Sequence, residues 1–488
     1  MSRSVSVLCK PVEEIATFEA AAWTQELREQ LRAGARVVSL FGRPEHDDVL
    51  VTALFERDRR LTATRARVRR DAGLHSLTPE APQLHAFERE LYEQTGLDFK
   101  GHPWLKPLRF EGRDQAAMNA FPYYSIEGKE VHEVAVGPIH AGVIEPGSFR
   151  FMCHGEQVHH LEVQLGYQHR AVEKLLLRRD VRSLMPLVET IAGDSSVAHG
   201  WAYCAALEAL VGCEPTGQIE LLRAFALELE RVGMHLATLS GLAADIGHLQ
   251  GATSYGRLRT TAINSMMRLC GSRFGRRALR PGGVGLRASA EWRGVVSENL
   301  QLLQTDLALI NDCFLSAHSV RHRLRGVGAL SLAQARELGL VGVSARACGV
   351  RVDARDNAGG AYAAHPISIA LQTDGDCWAR AVLRVQELDA SLAWLTQALQ
   401  IVSVWNSQPL AAAPCAPSSL AFSVVEGFRG EIMHALETDA SGAVIHYKVQ
   451  DPSLRNWMGL ALAVRQNEIS DFPVCNKSFD LSYCGHDL

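Results

Sequence analysis

The sequence predicts an α+β fold: a small N-terminal α/β module, then a large, mostly helical domain with short strands near its two ends. Three observations lead there. The chain has 488 residues, more than one ordinary core accommodates, so two domains are expected. Before residue 115, short apolar runs alternate with turn residues. Beyond about residue 155, apolar residues recur at steps of three and four.

The elements follow in order. In residues 1–115, Val37, Val38, Leu40 and Phe41 form one apolar run and Val49 to Phe55 a second. Gly42, Arg43 and Pro44 between them open the turn of a hairpin. A helix is expected over Leu84 to Thr95, with Leu84, Phe87, Leu91 and Tyr92 on one face and Gly96 as its C-terminal cap. Residues 116–133 are polar and irregular and read as a linker. In residues 134–488 the clearest helix runs from about Gln218 to Ala243. There Leu222, Phe225, Leu229, Val232, Leu236 and Leu239 make an apolar stripe, with Glu220, Arg223, Glu230 and Arg231 largely off it. Further helices are expected near 156–178, 196–211, 295–322 and 376–403. A closing hairpin pairs Gly430–Leu436 with Ala443–Val449 through a turn at Asp439 to Gly442.

Composition narrows the function. A net charge of −4 gives no basic excess for nucleic acid and no polybasic tail for anionic lipid. No run of apolar residues is long enough to span a membrane, and Met1 to Lys10 has no leader-like apolar core, so a cytoplasmic chain is expected. The eleven cysteines form no Cys-x-x-Cys pair and read as buried thiols. Phosphate-binding loops, His-Glu-x-x-His and Gly-x-Ser-x-Gly are missing from the sequence. Gly282-Gly283-Val284-Gly285 lacks the strand-and-helix context of a dinucleotide site.

Longer motifs say more. Gly137-Pro138-Ile139-His140, Glu145-Pro146-Gly147 and Gly155-Glu156-Gln157-Val158 occur in order, followed by Leu165-Gly166-Tyr167-Gln168-His169-Arg170 running on to Leu175. Leu229-Glu230-Arg231, Gly375-Asp376 with Arg380 and Arg384, Arg429-Gly430-Glu431 and Asp451-Pro452-Ser453 with Asn456-Trp457 come later. This series resembles the large subunit of membrane-bound [NiFe] hydrogenases and the related catalytic-type subunit of complex I. Ser76-Leu77-Thr78-Pro79, Phe87-Glu88-Arg89-Glu90 and Gly101-His102-Pro103 are similar to the small complex I subunit that partners it. The fusion of the two is the arrangement of formate hydrogenlyase and hydrogenase-4 proteins. The resemblance implies a peripheral oxidoreductase subunit on the cytoplasmic face of the cytoplasmic membrane. It also implies a small iron–sulfur partner holding a [4Fe–4S] cluster and a membrane arm of antiporter-like subunits. A quinone is a candidate acceptor, and NADH would have to meet another subunit.

The sequence departs from that family where the metal belongs. The resemblance places two Cys-x-x-Cys pairs within Glu189 to His199 and Asp480 to Gly485. The ligand positions hold Ala192, Ser195, Ser482 and Gly485, so no nickel–iron centre and no other cofactor is expected on this chain. The chain also ends at Leu488, about where metal-carrying relatives end after losing a C-terminal extension. The complex I proton donors, a histidine and a tyrosine, are missing as well: their positions fall at Ile144-Glu145 and Gly193.

The resemblance leaves Glu145 as candidate proton carrier, His140 and His199 as candidate proton groups framing the site, and Arg429 as a guanidinium aimed at it. Each has a plain structural alternative: a cap or a pair with an arginine for Glu145, a satisfied core position for each histidine, a bridge to Glu426 or Glu431 for Arg429. Asp376 and Asp480 read as local structure, and His159-His160 as polar surface on a helix. Three functions stay open: a redox subunit without its own metal, a non-catalytic coupling subunit, and a hydrogenase with other ligands.

Overall fold

The computed structural model describes residues 5–58, 60–112, 115–142, 144–286, 289–402 and 413–488. Met1 to Ser4 and the far end of the helix expected at 376–403 fall outside them. In the module, strands Ala16–Glu19, Arg60–Arg69, Asp48–Arg57 and Arg36–Glu45 form a sheet in that order, the first pair parallel and the others antiparallel. Helices Ala20–Arg32 and His85–Thr95 bring Trp23, Leu27, Phe87 and Leu91 to its core. The second ends on Gly96 in the left-handed conformation, as expected.

The hairpin is present, but its turn is not at Gly42–Pro44. The strands run on to Glu45 and reverse at His46–Asp47, where His46 has φ 55°. Gly42 lies within the strand, where a Cβ would come within 2.8 Å of Leu91 Cδ1, so it serves close helix–sheet packing.

The module's sheet is buried on both faces, which explains an apolar run at 49–55 that only Thr52 interrupts. Val49, Val51 and Phe55 pack on the module's own helices. Leu54, Val38 and Phe41 pack on Leu420, Phe422 and Met433 of the large domain. The chain's first strand, Ser6–Pro11, leaves the module altogether. It edges the large domain's antiparallel sheet, followed by Ser419–Gly427, Gly430–Thr438 and Val444–Gln450. The division drawn at residue 115 therefore does not describe that strand, whose partner comes from the far end of the chain. The stretch 116–133 contains most of the short helix Gln115–Ala120 and the start of strand Val131–Val136.

The 156–178 helix is a correction. Gln157–Gln164 is a strand paired with Ser148–His154 around Gly155, and only Val172–Leu177 is helical. Val158, Leu161 and Leu165 match a helical step, and pairing with the neighbouring strand decides against it. His159 and His160 accordingly sit on a strand. Helices Ser196–Val211, Gly217–Asp245, Ala290–Ser316 and Cys377–Ile401 stand where expected, whereas Leu249–Cys270 has no counterpart among the expected elements.

Gly217–Asp245 departs from a simple amphipathic helix. Thr216 caps it, but Glu220, Arg223, Glu230 and Arg231 are all buried, like the apolar stripe. Arg223 pairs with Glu208 at 2.5 Å and Arg231 with Glu387 at 2.5 Å, so these buried charges are matched. Among the described residues no helix is long and apolar enough to cross a membrane.

Candidate functional site

Two segments frame the site. The first, Glu189 to His199, enters helix Ser196–Val211. Glu230 of the neighbouring helix caps that N-terminus, its carboxylate accepting from Val197 N at 2.7 Å and Ala198 N at 3.2 Å. A carboxylate suits a helix N-terminus, but burial here outweighs both bonds and pushes Glu230 up to about 8. The second, Asp480 to Gly485, follows helix Phe472–Phe479, which stops at Asp480 with φ 55°. Ser482 caps the short helix Tyr483–Asp487, its Oγ accepting from Gly485 N at 2.9 Å.

Arg429 ties the segments together. It donates through both terminal nitrogens to Asp194, at 2.8 and 2.7 Å, and through Nε to the Asp480 carbonyl. Such a bidentate pair fixes geometry as well as charge. The alternative partners lie elsewhere: Glu426 accepts from Arg346 at 2.8 Å, and Glu431 from Arg36 at 2.6 Å.

His199 is fully buried and belongs to a chain of hydrogen bonds. Its Nε2 is 3.2 Å from Asp451 Oδ2, its Nδ1 is 3.0 Å from His434 Nε2, and His434 Nδ1 is 2.9 Å from the Tyr447 hydroxyl. One proton assignment satisfies all three contacts with both imidazoles neutral. Tyr447 donates to His434 Nδ1, His434 Nε2–H to His199 Nδ1, and His199 Nε2–H to Asp451. Burial and the neighbouring His199 hold His434 well below the usual histidine range. Burial acts upward on Asp451, yet His199 and the Arg429 charge keep it below the usual carboxylate range.

Asp451 also fills the space beside Gly485. A Cβ there would lie 2.6 Å from the Asp451 carboxyl carbon and 2.6 Å from Oδ2. Of the four positions where the family's thiolates belong, Ala192 and Gly485 carry no donor atom. Ser195 and Ser482 offer hydroxyls, and that of Ser482 is engaged as a cap. Soft metals held by thiolate bridges need sulfur; these residues do not fit a nickel–iron centre.

His140 and Glu145 share the loop from Gly137 to Gly147. His140 Nε2 is 2.9 Å from Gly147 O. Gly147 packs so closely on Tyr483 that a Cβ would come within 2.7 Å of its ring. Half-buried Glu145 lies against Cys484, and burial together with that negative charge pushes the thiol up to about 11. The four candidates thus converge on residues 480–485: Arg429 at Asp480, His140 through Gly147 at Tyr483, Glu145 at Cys484, and His199 through Asp451 at Gly485. Asp194, Glu230 and Asp451 stand inside motifs the sequence displays, yet nothing in those motifs marks them as parts of the site. His434 and Tyr447 lie on adjacent strands, and nothing in the linear sequence joins them to His199.

Residues 245–414 match the family model described as the respiratory-chain NADH dehydrogenase 49 Kd subunit, and residues 18–116 that of the 30 Kd subunit. A subunit of the NADH-quinone oxidoreductase of Bacillus thuringiensis is 30 % identical over 342 residues, covering 69 % of this chain and 93 % of that one. Hydrogenase-4 component G of Escherichia coli is 26 % identical over 433 residues, covering 84 % of this chain and 74 % of that one. Among solved structures, a chain of the membrane-bound sulfane sulfur reductase, an archaeal respiratory membrane complex, superimposes with a TM-score of 0.69. It is 23 % identical and covers 75 % of this chain and 100 % of that one, which shows the shared fold.

Proposed function

The chain belongs to the family of the 49 kDa subunit of respiratory NADH dehydrogenase, fused to a 30 kDa-type module, and on that premise we propose that it works without a nickel–iron centre. It is an oxidoreductase subunit of the kind found in complex I-like and membrane-bound hydrogenase assemblies. In the proposed reading it sits at the cytoplasmic face of the membrane, between a small iron–sulfur subunit and a membrane arm. Electrons arrive from a [4Fe–4S] cluster in that partner. An organic acceptor, a quinone being the candidate, takes two electrons and two protons at the surface around Glu145 and Cys484. Ion movement through the membrane arm is coupled to that step.

The observation that carries this reading is Asp451. Its carboxylate stands where a thiolate would have to enter at position 485, and His199, His434 and Tyr447 connect it to the interior. A row of imidazoles each bonded at both nitrogens can pass a proton by receiving at one and releasing at the other. Metal analysis of the purified complex tests it. The expected result is negligible nickel per copy of this chain; nickel near one per chain refutes the proposal.

A second reading, a non-catalytic coupling subunit, is favoured by one feature. Arg429 is locked onto Asp194, and the cavity beside Asp194 and Glu230 measures about 10 Å³, room for a water at most. Glu145→Gln separates the two. A proton carrier of this type contributes roughly 10²–10⁴-fold. A loss of that order in acceptor reduction, with assembly intact, supports the redox reading, and unchanged turnover supports the coupling one.

A further inference from the structure

Behind that site, and reaching Trp457 and His486 beside it, a cavity of about 260 Å³ opens at the seam between the module and the large domain. The first turn of helix His85–Thr95 and the loop around Trp104 form one wall. Strand Gln157–Gln164 and helix Ser453–Ala463 form the other. Leu108, Leu161, Leu165, Leu454, Met458 and Ala461 make the lining predominantly apolar.

The charged groups that line it are Arg89, Arg465 and Glu162. Arg89, 7 % exposed, lies over the Trp104 ring at 4.6 Å and, among the described residues, donates to the backbone carbonyls of Lys106 and Pro107. Arg465 bonds His160 Nδ1 at 3.0 Å, and its buried Nε has no partner. Among the described residues neither arginine makes an ion pair. The nearby carboxylate, Glu162, is already taken by Lys106 Nζ at 2.8 Å and Tyr124 N at 2.8 Å. Burial outweighs the opposing charges of Glu93 and Glu162 and pulls Arg89 down to about 10, and it lowers Arg465 as well. His160, tilted against the half-exposed Tyr124 with ring centroids 4.5 Å apart, closes the polar end.

We infer that this cavity binds an amphipathic monocarboxylate, its acid group received by Arg465 and Arg89 and its apolar body by the leucine-rich wall. A charge only partly compensated beside apolar surface is costly, and an incoming carboxylate relieves it. A mostly apolar pocket with a few convergent polar groups is the usual form of a small-molecule site. The inference does not depend on the reading of the Glu145 site.

Octanoate and octan-1-ol serve as probes in titration calorimetry of the full chain. Octanoate is expected to bind saturably at one site, at least ten-fold more tightly than the alcohol. Arg465→Gln should weaken octanoate at least ten-fold and leave the alcohol unchanged. Ala461→Trp, which fills the cavity, should abolish both. Where that variant fails to fold by circular dichroism, the Arg465→Gln comparison decides. Equal affinity for acid and alcohol, absence of octanoate binding, or octanoate binding untouched by Arg465→Gln would each overturn the inference.

Discussion

Replacing Gly485 with alanine tests whether Asp451 occupies the space of the lost ligand. Gly485 lies in the helix Tyr483–Asp487, and its φ is not in the left-handed region, so the backbone accepts alanine without strain. Alanine in place of glycine within a helix should gain roughly 0.5–1 kcal/mol. Against that, the new Cβ would stand 2.6 Å from the Asp451 carboxyl carbon. Asp451 cannot swing aside freely, because it holds His199 at 3.2 Å and Ser453 N at 2.8 Å. Overpacking costs about 1–3 kcal/mol, and weakening a hydrogen bond to a charged group adds up to about 1.5–3 kcal/mol. With both costs acting, the net effect in the native background is a loss of about 1.5–5.5 kcal/mol. In an Asp451→Ala background the obstructing atoms are gone, and the same change should stabilise by up to about 1 kcal/mol. The assay is urea denaturation of the four purified chains, read as a double-mutant cycle. If Gly485→Ala costs the same in both backgrounds, Asp451 does not fill that position and the reasoning fails.

Glu230 gives a pH prediction. Its carboxyl is raised from 4.5 to about 8, so the folded chain holds a proton that the unfolded chain releases. Its contribution is complete below pH 4.5 and is lost as pH rises towards 8, at about 1.4 kcal/mol per unit. Stability relative to Glu230→Gln should therefore fall over that window and level off above it; parallel pH profiles for the two proteins would contradict the assignment. At the seam, Arg36 of the module holds Glu431 of the large domain at 2.6 and 2.7 Å and also contacts Glu56. Arg36→Met leaves two carboxylates facing one another and should cost about 1–3 kcal/mol in chemical denaturation, less than a fully buried pair because Arg36 keeps 17 % of its side chain exposed. A shift near zero would mean that the apolar seam alone holds the module.

Much of the architecture was legible in the chain. Periodicity located the helix at 218–243, turn residues bounded the last hairpin, and Gly96 marked a helix end. The order of motifs indicated the family, and the residues at 192, 195, 482 and 485 indicated the departure from it, because donor atoms are a property of residue type alone. Where local pattern was ambiguous, as at 156–164 or at Gly42, the neighbouring strand or helix decided, since a short apolar run fits either period and a glycine can serve a turn or a close contact. The partners of Arg429, the Asp451–His199–His434–Tyr447 chain and the filling of the space beside Gly485 came only from the tertiary structure. They join residues that lie up to 252 positions apart, as His199 and Asp451 do. Burial, which raises the Glu230 carboxyl and lowers the Arg465 guanidinium, depends on what packs around a group, and neither residue carries that information in its own stretch of sequence.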